Sequence, residues 1–276
     1  MNKAELRELA VNSVDGLISD LESAAKRGAA VFGADELVKT LIPSFLGYNP
    51  ELKIVPVYAG ERRNLTDLLG CKDWVSTFFA ISDAIKHKPS LIKPGDYFLL
   101  PIKANAGRFD GLEFSALDIS ETELVVVQVY RGKIVLNFEE VLFCSAVNAK
   151  NTNNGGFKES ALAKYLNCQF LSALDPVKEI LIENKDGQRV TLPTFYEVFG
   201  GNDYGDDVNW DNDPRQLEYF KKIKNRIRTK DNDTWWSWLS TPASSSSFAY
   251  VSGYGYATGS TASSTDGGVA PAICII

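Results

Sequence analysis

The residues that usually carry chemistry are few in this chain and far apart. It holds one histidine, His87, and four cysteines, Cys71, Cys144, Cys168 and Cys274. A catalytic triad or a multi-histidine metal centre would have to be built around His87 alone, in the stretch AIKHKP, which removes many enzyme classes at once. No two cysteines make a CxxC pair, so a zinc site is not expected. Each cysteine sits among apolar neighbours (LGCKDW, VLFCSA, YLNCQF, AICII), the setting of a buried free thiol. One acidic stretch, GNDYGDDVNWDNDP at 201–214, brings together Asp203, Asp206, Asp207, Asp211 and Asp213. Clustered carboxylates of this kind hold calcium in other proteins. The glycine and closing glutamate of an EF-hand are missing, so an exposed loop is the first expectation and calcium the alternative. No catalytic residue and no other cofactor is expected.

A different kind of chemistry is written at 243–268, ASSSSFAYVSGYGYATGSTASSTDGG. Ser, Gly, Ala, Thr and Tyr make up all of it except Phe248, Val251 and Asp266. A flexible linker would not carry Phe248, Tyr250, Tyr254 and Tyr256, and it would not end in GVAPAICII, which reads as a buried strand. An ordinary surface is about a quarter charged, whereas this run has one charge. Surfaces rich in Tyr, Ser and Gly are typical of paratopes. Tyrosine offers contact area at little rotamer cost, and small polar residues adapt and hydrogen-bond. In a single alternating strand, Ser252, Tyr254, Tyr256 and Thr258 would share one face.

The rest of the chain must position that run. At 276 residues, 45% hydrophobic and 23% charged, it suits one large domain or two ordinary ones. The net charge of −6 argues against nucleic acid. The basic run Lys221, Lys222, Lys224, Arg226, Arg228 and Lys230 reads as a solvated face following Leu217 and Phe220. No apolar run is long enough to span a bilayer, and MNKAELRELAVNS lacks the layout of a signal peptide.

Leu6, Leu9, Leu17 and Leu21 predict a helix over 3–27, either a core element or an oligomerisation seam. A second helix is expected near 34–42 and a strand at Lys53–Tyr58. Asp73 caps a predicted helix over 74–87, and Pro89 and Pro94 then place a domain boundary near residue 90. From Gly95 the segments GDYFLLPI, TELVVVQVYRG and KIVLNFEEVLF are strand-like, with a turn at Arg131-Gly132. Helices are expected over 158–171 and 214–228, and a hairpin around Asp186-Gly187. Thr194 and Glu197 form a predicted capping box. The fold class is α+β, with a helical region over 1–90 and mostly antiparallel short strands over 91–276.

The brackets around the run, WWSWLSTP before it and GVAPAICI after it, resemble the C-terminal signature of the variable proteins of diversity-generating retroelements, a bacterial and bacteriophage family. The stretches NGGFKESALAKYLN, LPTFYEVFG and QLEYFKKIKNRI are similar to the body of that family, so the resemblance covers roughly 95–276. It implies a C-type-lectin-like fold for 91–276. It also implies a run diversified at adenines of a copied template, so that Asn codons become any NNY codon, and every residue of 243–268 lies in that set. Val251, Gly255, Ala257, Ala262 and Ser263 match positions the family holds steady. Trp236, Ser246, Ser247, Tyr250, Ser252, Tyr254, Tyr256, Thr258, Ser260, Thr261 and Asp266 are the implied ligand-binding residues, Trp236 at the edge of the site and Trp235 and Trp238 in the core. The family's usual WWLRSP reads WWSWLSTP here, so no contact of that arginine carries over.

The expectation is a non-enzymatic receptor-binding protein of a phage or prophage. Its ligand is a cell-surface protein or glycan. The region 1–90 docks or oligomerises it, with a homotrimer as the guess by analogy, on a phage tail or capsid. It would reside on the virion, or in the host cytoplasm before assembly, without membrane insertion. The alternatives are a fixed structural virion or surface component, and an enzyme of the formylglycine-generating type, which shares the lectin-like fold but needs two thiols meeting in space.

Overall fold

The computed structural model describes residues 62–276 apart from 202, 206 and 211–215. The helices expected over 3–27 and 34–42 and the strand at Lys53–Tyr58 lie outside these residues, as do Asp206, Asp211, Asp213 and Pro214. The chain divides into two compact units, Met1–Val57 and Tyr58–Ile276. The described residues all belong to the second.

It opens with helices α1 (Leu65–Leu68) and α2 (Trp74–His87). Asp73 caps α2 as its sequence predicts: the carboxylate accepts the Ser76 N–H at 2.8 Å, and the Ser76 hydroxyl returns the contact. The apolar spacing of α2 buries Phe78, Ile81 and Ile85 together with Leu65 and Phe98. The Phe78 and Phe98 rings meet edge-on at 4.9 Å. The helix therefore shares a core with the strands that follow it. Residues on both sides of residue 90 thus pack into one core. Pro89 and Pro94 end a helix and turn the chain without separating two cores.

The strands follow in order as β1 (Tyr97–Ala104), β2 (Gly107–Phe109), β3 (Leu112–Phe114), β4 (Leu117–Tyr130), β5 (Lys133–Phe138) and β6 (Phe143–Cys144). After the short helix α3 (Ala161–Tyr165) come β7 (Val190–Thr191), helix α4 (Phe195–Phe199), β8 (Arg228–Lys230) and β9 (Asp233–Trp235). The chain then forms β10 (Ser237–Ser244), β11 (Ser247–Val251), β12 (Ala257–Thr261), β13 (Gly268–Val269) and β14 (Ala272–Ile275). Two five-stranded sheets result, in orders β1-β4-β5-β14-β7 and β12-β11-β10-β13-β6, with β2-β3 and β8-β9 as separate hairpins. The fold is α+β with mostly antiparallel pairing; β10 and β13 run parallel.

Arg131 and Gly132 both adopt positive φ, 44° and 77°. That matches the twist of a two-residue hairpin and joins β4 to β5. β14 is buried at every residue. Ile273 and Ile275 enter one core with Leu136 and Phe138, while Cys274 enters another with Val125, Val127 and Val135. A sheet covered on both faces explains why AICI is continuously apolar instead of alternating.

Three segments differ from their sequence expectation. The helix over 158–171 is a 3-10 turn at Phe157–Glu159, then α3, then a π-helical turn at Leu166–Phe170. In that turn Asn167 accepts the N–H groups of Arg189 and Val190 and donates to the Val190 carbonyl, anchoring β7. In place of an α-helix, 218–226 holds two 3-10 turns, Glu218–Lys221 and Ile223–Arg226. Side chains of Gln216, Asn225 and Arg226 donate to the Phe220, Tyr219 and Phe220 carbonyls there, competing with helical bonding. The turn at Asp186-Gly187 forms, but its flanks do not pair as a hairpin. Leu181 bridges Ile275 and Val190 pairs with Ile273, so both flanks address β14.

The predicted capping box is present at α4: the Thr194 side chain accepts the Glu197 N–H, and Glu197 accepts the Thr194 N–H. Glu197 is 2% exposed and also accepts the backbone and side-chain N–H groups of Asn209 at 2.8 Å each. Burial pushes its carboxyl above the ordinary carboxylate range, and these hydrogen bonds offset part of that push. Protonation therefore favours the folded state. The stabilisation is complete below the unfolded glutamate value, about 4.3, and is lost as pH rises through the folded value. In thermal unfolding across pH, the deficit of Glu197→Gln relative to wild type should be largest in acid and should narrow toward neutrality.

The chain leaves the second sheet after Val269 and enters the first at Ala272. Asn137, fully buried on β5, donates to the carbonyls of Ala270 at 2.9 Å and Pro271 at 2.6 Å. Its Oδ1 accepts from buried Arg228 at 2.5 Å. Arg228 lies 3.6 Å from Glu139, which accepts the Tyr219 hydroxyl at 2.8 Å. Asn137→Ala should cost about 2–4 kcal/mol, because it strands a carbonyl and part of a guanidinium away from water. Urea unfolding should show a lower midpoint with an unchanged slope.

Candidate ligand-binding surface

Between Trp238 and Asp266 the sequence has no Asp, Glu, Lys, Arg or His, and this stretch builds β10, β11 and β12. β12 forms one edge of the second sheet. Its register against β11 sets Tyr250 opposite Thr258 and Phe248 opposite Ser260, and Tyr250 lies opposite Trp238 on β10. Cross-strand partners point to one face, so Trp238, Tyr250 and Thr258 form a row. Phe248 and Trp238 are buried in one core, while Ala249 and Val251 are buried in the other. β11 is thus clamped from both sides, and its hairpin partner β12 is carried on a rigid support.

Trp238 is the core tryptophan of the cluster, 1% exposed, with its indole N–H on the Ser145 carbonyl at 2.8 Å. Trp236 is half-buried beside it, ring centroids 4.8 Å apart, and packs on Tyr250 at 4.6 Å. Trp235, expected in the core, is also half-buried; its indole N–H donates to the Asp266 carbonyl at 2.9 Å.

The expected ligand-binding residues fall into four places. Trp236, Tyr250, Thr258 and Ser260 are half-buried along the sheet. Ser252, Tyr254 and Tyr256 lie in the β11–β12 turn, where Tyr254 is 78% and Tyr256 48% exposed beside Gly253 and Gly255. Ser246, Ser247 and Thr261 gather at the opposite end of the hairpin, with Ser247 opposite Thr261. Asp266 is exposed beyond β12. Ser252, Tyr254, Tyr256 and Thr258 do not share one strand face. Gly255 has a φ of 81° and the chain reverses there, with the Ser252 N–H on the Tyr256 carbonyl at 2.8 Å.

Two residues outside the run hold its far end, and sequence reasoning passed over both. Asn151 accepts the Ser263 hydroxyl at 2.5 Å, and Asn153 donates to the Ser244 carbonyl and, through its backbone, to Ser245. The signal was present in NAKNTNNGG, since Asn side chains in polar loops commonly satisfy nearby backbone.

The acidic stretch is placed in part. Asp207 pairs with Lys185 at 2.6 Å, and Asp203 is exposed. Among the described residues no group of carboxylates, cysteines and histidine is arranged to hold a metal ion. None of the four cysteines is in a disulfide; Cys274 is buried, Cys71 and Cys144 half-buried and Cys168 exposed. Burial pushes the Cys144 thiol above its ordinary range, away from the reactive thiolate. No helix among the described residues is long and apolar enough to cross a membrane.

Residues 131–276 match the model of a domain of unknown function, DUF6273. The chain belongs to the DUF6273 family. The matched segment begins at the β4–β5 turn, so the DUF6273 domain contains the whole second sheet and the strands β5, β14 and β7 of the first. Strands β1 to β4 and helices α1 and α2 precede it. Neither the curated proteins nor the solved structures include a match to this chain.

Close packing accounts for the glycine pair that closes the run. A Cβ on Gly267 would lie 1.9 Å from the Trp238 indole nitrogen, and one on Gly268 would lie 2.5 Å from the Trp236 carbonyl. Gly267→Ala must displace the Trp238 ring and break its bond to Ser145. A loss of about 2–3 kcal/mol is expected, together with a red-shifted tryptophan emission in the folded protein.

Proposed function

We propose that this DUF6273 protein is a non-enzymatic receptor-binding protein whose C-terminal domain, of the C-type-lectin-like kind, displays the 243–268 run as its ligand surface. One observation carries the reading: a Tyr/Ser/Gly run with a single charge forms an edge hairpin whose inner strand β11 is buried on both faces, with Tyr254 and Tyr256 projecting from its turn. Rigid backing and exposed tyrosines are what a contact surface needs, since little freedom is left to lose on binding. The resemblance to retroelement variable proteins supports diversification of the exposed positions. The ligand is a cell-surface protein or glycan. The region 1–90 docks or assembles the protein as a homo-oligomer, a trimer by analogy, on a phage tail or capsid, so that multivalency strengthens modest single contacts. Its place is the virion.

A fixed structural component is the second reading. It is favoured by the half-burial of Tyr250, Thr258 and Ser260, which ties part of the run to packing.

Deep sequencing of the gene's 3′ end in a population grown from one clone separates the two. Diversification should concentrate substitutions at codons 244–266 and spare Trp235, Trp238 and 269–276; a uniformly constant gene favours the fixed component. Replacing Tyr254 and Tyr256 by serine should change stability by no more than about 0.5 kcal/mol. The same change should abolish binding of the fluorescently labelled protein to cells that the wild type labels.

A further inference from the structure

A second concavity lies outside the hairpin surface, and none of its walls is a residue of 243–268. It has a volume of about 230 Å³ and is closed by the loop at Gly155–Lys158, the turn at Lys185–Gln188, the start of α4 at Thr194, and Ser240–Pro242 of β10. Local sequence builds it. Gly155 and Gly156 both take positive φ, which lets the loop turn back. Asn184 Oδ1 accepts the N–H groups of Asp186 and Gln188 at 2.9 Å each, folding the facing turn. Asn209, held by Glu197, supplies a further wall.

The chemistry of the walls is distinctive. Thr191, Thr194, Asn209 and Thr241 are buried polar residues with both donors and acceptors. Phe157 and Pro242 add an apolar side. Four charged residues line the opening, and they are already matched, Lys158 with Asp186 at 3.5 Å and Lys185 with Asp207 at 2.6 Å. A phosphate, a carboxylate or a metal cation would have to break one of these pairs. Gln188 lines the concavity too, and its side-chain amide can both donate and accept there.

We propose that this concavity is a second binding site, for a neutral polyhydroxylated ring: a single sugar unit, free or at the end of a glycan. Hydroxyl groups both donate and accept, as these walls do, and the apolar face of a pyranose suits Phe157 and Pro242. The volume lies below the roughly 300–1,000 Å³ of pockets for drug-sized molecules, which fits one ring. This site is independent of the hairpin surface, so either proposal can fail alone.

The test is ligand-observed NMR on the full chain with the methyl glycosides of glucose, galactose, mannose and N-acetylglucosamine. At least one should bind saturably, with a Kd on the order of 1 mM. Gln188→Leu, which keeps volume and removes the amide, should weaken that binding about tenfold or more. The Tyr254→Ser, Tyr256→Ser double variant should leave it unchanged. Inorganic phosphate and glycine should not displace the glycoside. An oligosaccharide ending in the preferred unit should compete if the source is a glycan, and should fail to compete if the site takes only the free sugar. If Gln188→Leu does not fold, Pro242→Ser, altered at an exposed residue of the apolar wall, decides by the same loss. Failure of all the glycosides to bind, retention of binding in a folded Gln188→Leu, or displacement by phosphate would overturn the proposal.

Discussion

One short crossing organises the whole domain. At Ala270 and Pro271 the chain leaves the floor beneath the tryptophans and becomes the inner strand of the other sheet. Proline has no N–H to give either ladder, and the two carbonyls of the crossing are sealed from water between two cores. Asn137 answers both from β5, and Arg228 and Glu139 extend that answer to β8 and the turn carrying Tyr219. Such a buried polar cluster is tolerable only when its members satisfy one another. Here that condition also ties the register of β14 to the position of β13. The two sheets cannot shift relative to each other without breaking the cluster.

From that fixed crossing the tryptophan cluster and the hairpin follow. Gly267 and Gly268 admit Trp238 and the Trp236 backbone at contact distances no side chain would permit. Trp238 then supports Tyr250 through Trp236. Within the run itself, structural duty falls on Phe248, Ala249, Val251 and Ala262, all buried. The Ser, Thr and Tyr residues between them are left with lighter obligations. The unusual composition of 243–268 is thus two interleaved sets: buried apolar residues that hold the hairpin, and Ser, Thr and Tyr residues at its turn and edge.

Much of this was readable from the residues, where the determinant was local. Asp73 and Thr194 announce their helices because a capping side chain and its N–H acceptor lie within three residues of each other. Arg131-Gly132 marks a hairpin because few dipeptides accept two positive φ values. The continuous apolar character of AICII betrays a strand covered on both faces. What was hidden depended on distant partners. Nothing near residue 90 shows that α2 packs on strands beyond it. Nothing in the alternation of 252–258 shows that Gly255 reverses the chain, since Ile223 and Ile227, which crowd it, come from another turn. Tyr219 and Phe220 look like one face of a helix until their burial in a core and the side-chain bonds around them are seen. The polar concavity was invisible for the same reason, being assembled from loops far apart in the chain.

The position of β14 bears on how the domain comes to be folded. Its neighbours β5 and β7 precede it by long stretches, and the pairing of Ile273 with Leu136 is among the least local in the molecule. The meander of β1, β4 and β5 can close early, since its contacts are short-range or turn-linked. Until residues 272–275 arrive, β5 presents an open edge of Ile134, Val135 and Leu136. Such an edge is prone to pair with another chain. Non-local closure of this kind makes folding slow. The same strand that locks the finished domain is therefore the one whose late arrival leaves the nascent chain most dependent on protection from aggregation.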